Sequence, residues 1–398
     1  MNTEKFSEVE KLMMKLSFIS YLSLFGRKNI INKTGWDIKN IIHKALRQIN
    51  PFPQTLVWGP ATGSYGTDPN VALIYISKHD DSNIYTVAVR GTNPFSLISW
   101  WFEDLVVWEK VPWPMETSSS PAARNAKISN ATATSLNIHL NLTDETLRVT
   151  FIDFLKDELR KHNLVINFTG HSLGGLMAPT LALKFYETLD EELLGRVEAI
   201  NTYAFAGPTA GDYNFAKYSE SVFKKKTFKD HIFYRNDHDV AVNVWNMDGM
   251  KRVFGFYDDY EIPITSALKF VLGGLTATVD GMEYQRPSGT IRRIDPLRID
   301  IKEKLNLHNL KDINLELEFG LIGQRLVEFA ERIGLIRPNA LDETFSWLLM
   351  AQLQHIFAYL EILDKEDTNY HYIKNDIMKP LIYKVFPGKQ VHKLMGKI

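Results

Sequence analysis

The sequence predicts an α/β fold, a mostly parallel sheet flanked by helices, and three observations carry that prediction. Leu164 to Phe168 is a short apolar run, followed by the turn Gly170-His171-Ser172-Leu173-Gly174 and an apolar segment of helical character from Leu176. Val71–Ile76 and Ile84–Val89 read as strands joined by a turn from Lys78 to Asn83, rich in β-branched and aromatic residues. Beyond the Gly-x-Ser-x-Gly turn, strand-like and helix-like segments alternate, as in a parallel sheet whose crossovers are helices.

The N-terminal segment, residues 1–60, reads as helical and packed on the main domain. Phe6, Val9, Leu12, Met13, Leu16 and Ile19 recur at helical spacing, with Gly26 as a stop. A second helix is predicted from Trp36 to Ile49, and Pro51 and Pro53 then break the chain. Residues 61–398 are expected to form the main α/β domain. Met115 to Thr134, rich in Ser, Ala, Asn and Thr, reads as a mobile surface loop. Leu147–Leu159 reads as an amphipathic helix leading into the strand at 164. Leu176–Leu189 is predicted helical with a kink at Pro179, Val197–Phe205 is a strand, and His231–Arg235 is another.

Composition excludes several classes of function. With 46 Lys+Arg against 47 Asp+Glu, the net charge of −1 gives no electrostatic case for nucleic acid. The chain has no cysteine, which removes disulfides, a thiol nucleophile and cysteine-held metals. No zinc-protease or calcium-loop pattern is present, so neither metal nor cofactor is implied. The first residues lack the basic start of a secretory signal, and no apolar run is long enough to suggest a transmembrane helix. The expectation is a cytoplasmic protein or one exported without such a signal.

A serine between two glycines on a strand-to-helix bend presents its hydroxyl above the sheet, with the N–H groups of the next helix facing whatever it attacks. Gly170-His171-Ser172-Leu173-Gly174-Gly175 resembles the nucleophile elbow of the class 3 (fungal-type) lipase family, which has the α/β-hydrolase fold. The resemblance extends to Arg90-Gly91-Thr92, similar to the family's Arg-Gly-Thr, and implies an oxyanion hole from Thr92 and the Leu173 N–H. Trp101-Phe102-Glu103-Asp104-Leu105 is similar to a family signature whose acid is structural. The surrounding tryptophans fit a core cluster or the rim of an acyl site. The loop from Ala206 to Asp212 is similar to another family segment.

Arg235-Asn236-Asp237-His238-Asp239-Val240 is similar to the family's Arg-Asn-x-x-Asp-Val and implies Asp239 as the acid, with Asp237 as competitor. His355-Ile356-Phe357-Ala358-Tyr359 resembles the terminal His-x-x-x-Tyr and implies His355 as the base. A continuous buried helix from Phe345 to Leu363 would instead make His355 a core residue, with His371 and His308 as the alternatives. The long stretch before His355 reads as a cap at 255–340 over the site, or as a further extension of the sheet. Within it, Pro263–Val279 is apolar and is expected to kink at Gly273-Gly274.

The resemblance implies a serine carboxylic-ester hydrolase that cleaves acylglycerol or related lipid esters, at a lipid–water interface. Alternatives on the same scaffold are a phospholipase or a soluble short-chain esterase, because fold and triad do not fix the substrate. A catalytically dead lipid-binding protein is the alternative from another class.

Overall fold

The computed structural model describes residues 6–24, 36–65, 68–91, 109–114, 121–299, 338–363, 365, 367–385, 391 and 394–396. Seven strands form one sheet: β1 (Gln54–Tyr65), β2 (Asp68–His79), β3 (Ile84–Val89), β6 (Leu164–His171), β7 (Val197–Phe205), β8 (Phe228–Asn236) and β9 (Thr290–Ile294). They lie in the order β1-β2-β3-β6-β7-β8-β9. β1, β2 and β3 are antiparallel, whereas β3, β6, β7, β8 and β9 run parallel. β4 (Lys110–Pro112) and β5 (Lys127–Ser129) make a separate two-stranded ribbon.

Both faces of β3, β6 and β7 are covered, which is why those strands read as nearly continuous apolar runs. Ile166 and Phe168 of β6 enter a core shared with the helices Phe151–Lys161, Leu173–Glu187 and Tyr213–Phe223. Tyr203 and Phe205 of β7 and Tyr234 of β8 point the other way. There they meet the helices Glu8–Ile19, Trp36–Arg47 and Pro338–Leu360. The helix Glu8–Ile19 is thus part of the main core, and residues 54–65, divided by the expected boundary at 60, form the single strand β1. No helix among the described residues is long and apolar enough to cross a membrane.

Two expectations are corrected, and one that the sequence left open is met by a strand. The expected loop at 115–134 contains the helix Pro121–Asn125, strand β5 and the start of a helix Asn130–Asn141. Its small polar residues are helix caps and buried contacts: Ser129 accepts from the Thr132 N–H at 3.0 Å, and Thr132 and Ser135 are buried. Within the stretch 255–340, residues 290–294 add the edge strand β9 beside β8, the sheet extension that the sequence offered as the alternative to a cap. Finally, Gly273 and Gly274 do not interrupt the helix Ser266–Val279, which packs against the helix Pro338–Leu360. Residues 300–337, including His308, lie outside the described residues, as do Thr92 and the tryptophans at 100, 101 and 108.

Candidate active site

The site begins with a strained serine. Ser172 has φ 63° and ψ −127°, a left-handed conformation that a residue with a Cβ adopts only when its surroundings impose it. Those surroundings are close-packed backbone. A Cβ on Gly170 would lie 2.3 Å from the Gly174 carbonyl oxygen, and one on Gly174 would lie 2.2 Å from that of Val89. The bend therefore closes only with glycine at both places, and the helix Leu173–Glu187 starts immediately after the serine. This helix runs on through Pro179.

Two residues past the end of β3, the strand beside β6, Gly91 faces the same turn. A Cβ there would sit 2.8 Å from the Ser172 Cβ and 2.4 Å from the His171 carbonyl oxygen.

Asp239 lies three residues beyond β8 and is fully buried. Its Oδ1 accepts from the Ala241 N–H at 2.8 Å, and its Oδ2 accepts from the Tyr359 hydroxyl at 2.9 Å. His355 Nδ1 is 3.0 Å from both carboxylate oxygens, so that nitrogen carries the proton. His355 is itself in the buried helix Pro338–Leu360. A core helix and a histidine on the acid are not exclusive alternatives, because one turn of that helix presents both His355 and Tyr359 to Asp239. The Tyr359 hydroxyl also accepts from the Asn236 N–H at 3.0 Å, tying the helix to the end of β8. The other ring nitrogen of His355, Nε2, is buried and has no hydrogen-bond partner among the described residues.

The competitors lie elsewhere. Asp237 is half-buried and paired with Arg235 at 2.9 Å and with Arg293, so its charge is already matched. His371 is exposed and packs edge-on to Tyr370. His238 bonds the Tyr260 hydroxyl at 3.1 Å, and burial lowers its pKa.

His171, inside the serine turn, links the two halves of the site. Its Nε2 donates to the His355 carbonyl oxygen at 2.8 Å, and the two rings are 4.7 Å apart. With Nε2 protonated and the ring neutral, Nδ1 accepts from the Tyr21 hydroxyl at 3.1 Å. Burial, and then the charge of His355, hold the His171 pKa well below the usual range, so this ring stays neutral. The residue before Ser172 is therefore bonded directly to the residue that faces Asp239. Tyr21, from the N-terminal segment, and His171 as a link were not singled out in the sequence. A buried aromatic next to the serine turn leaves no local pattern to read.

A serine at a strand-to-helix elbow with a buried histidine–carboxylate pair beside it, on a mostly parallel sheet, defines the α/β-hydrolase class. Residues 86–265, a little under half of the chain, match the family model "Lipase (class 3)". Among solved structures the chain is similar to M37 lipase, with 22% identity, a TM-score of 0.70, and coverage of 95% of this chain and 100% of that one. Lipase II from Rhizopus niveus aligns at 19% identity over 61% of this chain and 76% of that one, with a TM-score of 0.40. No curated protein matches the sequence.

Proposed function

We propose that the protein is a lipid-ester hydrolase working through Ser172, His355 and Asp239, with acylglycerol as the substrate class. The observation that supports this most is the strained serine turn joined, through His171, to a histidine whose far nitrogen is already held by a buried aspartate. In this reading Ser172 Oγ attacks the ester carbonyl carbon while His355 Nε2 takes the hydroxyl proton. His355 then gives that proton to the departing alcohol as the acyl–oxygen bond breaks. Water repeats the sequence on the acyl-enzyme and releases the acid. Asp239 fixes the proton on Nδ1 and stabilises the imidazolium formed at each step. Leu173, first residue of the elbow helix, offers its N–H to the oxyanion, and Thr92 is the second donor. The open valence at Nε2 suits this role, since apo sites often close their hydrogen bonds only on substrate.

The test is hydrolysis of chromogenic esters of increasing acyl length, with the rate followed through the solubility limit of a medium-chain glyceride. Ser172→Ala should lower turnover by ~10⁴-fold or more with the fold intact. A serine-directed phosphonate should label the wild type once, at Ser172. An active Ser172→Ala enzyme discards the mechanism. A preference confined to short soluble esters, with simple saturation across the solubility limit, discards the lipid substrate but keeps the triad.

A further inference from the structure

On the β8–β9 side of the molecule, a cavity of about 410 Å³ is lined by Arg235, Arg252 and Arg286, with Asn243, Asn246 and Gln285 among its polar walls. The three guanidiniums are poorly neutralised. Arg235 and Arg252 both donate to the same neutral oxygen, Asn243 Oδ1, at 3.2 and 2.9 Å. A pair of guanidiniums commonly meets a carboxylate in such a place. Among the described residues Arg235 has one ion-pair partner, Asp237, which it shares with Arg293. Arg252 is exposed and has no carboxylate within ion-pair distance among the described residues. Among the described residues, Arg286 donates only to carbonyl oxygens, those of Gly207 at 2.7 Å and Val242 at 3.1 Å, and it lies over the Phe233 ring. Burial, and then the charge of Arg235, lower its pKa to about 10, which is the sign of a cation short of anionic company. The buried Asp239 attracts Arg286 at longer range but accepts no bond from it.

The single carboxylate in the lining is already engaged. Glu220 accepts from the Ser288 N–H at 3.0 Å and from its hydroxyl, with Lys217 at 3.5 Å. The cavity therefore carries an excess of positive charge, has neutral donors in its wall, and has the exposed residues Arg252, Ser288 and Gly289 at its rim. Planar guanidiniums converging from several directions match an anion with several oxygens better than a single carboxylate.

We propose that this cavity binds a phosphate group, either as free phosphate or as the phosphomonoester head of a lipid. The site is distinct from the Ser172 turn, and its test does not depend on ester hydrolysis. The full chain is titrated calorimetrically with inorganic phosphate against chloride at matched ionic strength. In parallel it is sedimented with phosphatidylcholine vesicles with and without phosphatidic acid. Arg252→Gln, at an exposed position, should weaken binding on the order of tenfold, the loss of one charge-assisted contact. Gln285→Glu, nearly isosteric, should abolish it by placing a negative charge in the wall. Phosphate binding with both losses assigns the site to soluble phosphate. Binding only to phosphatidic acid vesicles, again lost in both variants, assigns it to a lipid head. No binding to either probe, or equal binding by wild type and both variants, overturns the proposal.

Discussion

Asp239 is the most constrained residue of the site. A fully buried carboxylate must have its lone pairs filled, and here an N–H, a hydroxyl and an imidazole fill them. Tyr359 has two roles in that set, as donor to Oδ2 and as acceptor for the Asn236 N–H. Tyr359→Phe keeps the ring and removes both contacts, leaving the buried Asn236 N–H without its partner and Asp239 Oδ2 with the imidazole alone. The expected cost is about 1–3 kcal/mol of stability, read from chemical denaturation. If Asp239 orients His355 as proposed, turnover should fall as well while KM stays close to wild type. Asp239→Asn should nearly abolish turnover, whereas Asp237→Asn, which loses only contacts to Arg235 and Arg293, should be mild. A severe Asp237→Asn and an active Asp239→Asn would exchange the two assignments.

At the scale of elements, the helix Glu8–Ile19 is anchored at its start by a capping box between Ser7 and Glu10. Glu10 also reaches across the sheet, accepting from the Tyr234 hydroxyl at 2.8 Å and from Arg292 at 3.1 Å. The same helix receives the Tyr75 hydroxyl on its Leu16 carbonyl and the Thr169 hydroxyl on that of Met13. One buried carboxylate thus ties the first helix to β8 and β9. Ser7→Ala should cost about 1 kcal/mol, the usual loss for an N-cap. Glu10→Ala should cost more in thermal or denaturant unfolding, because it strands the Tyr234 hydroxyl and part of the Arg292 charge as well. Equal losses would mean that the cross-sheet bonds contribute nothing. None of this network is visible in the sequence, where Glu10 looks like a solvated residue between apolar ones. The strands β3, β6 and β7 were legible because burial on both faces writes apolar runs into the chain. The serine turn was legible because steric contacts restrict it to glycines at fixed spacing. β9, Thr-Ile-Arg-Arg-Ile, was not: as an edge strand it is mostly exposed, and only its non-local pairing with β8 makes it a strand. The run from Met115 failed for a related reason, since Ser and Thr that cap or fill a buried helix have the composition of a loop.

For the whole molecule, the buried histidines set how the fold responds to acid. Burial lowers the pKa of His139 to about 4 and that of His231 to about 3, and holds His171 well below its ordinary value. His139 donates through Nδ1 to the Ser135 carbonyl at 2.7 Å, and its Nε2 is buried with no hydrogen-bond partner among the described residues. In the unfolded chain such rings titrate near 6.5. Below that pH the unfolded state binds protons that the folded state refuses, so stability falls as pH falls from about 6.5 towards the depressed folded values. At pH 5 each such ring contributes about 2 kcal/mol of destabilisation, since one pKa unit is worth 1.36 kcal/mol. Glu187, pushed up by burial, acts in the opposite sense, because the folded state protonates it first as pH falls. Glu10 and Asp144, held below the usual carboxylate range, lose their contribution only at lower pH. The prediction is a fall in unfolding free energy between pH 7 and pH 5 that exceeds what surface charge produces. His139→Leu removes one titrating ring without enlarging the side chain. Whatever it does to stability at pH 7, the difference between pH 7 and pH 5 should shrink by about 2 kcal/mol, measured by urea denaturation at both values. An unchanged difference would mean that His139 takes up its proton in the folded state, through an opening that the buried Nε2 does not suggest.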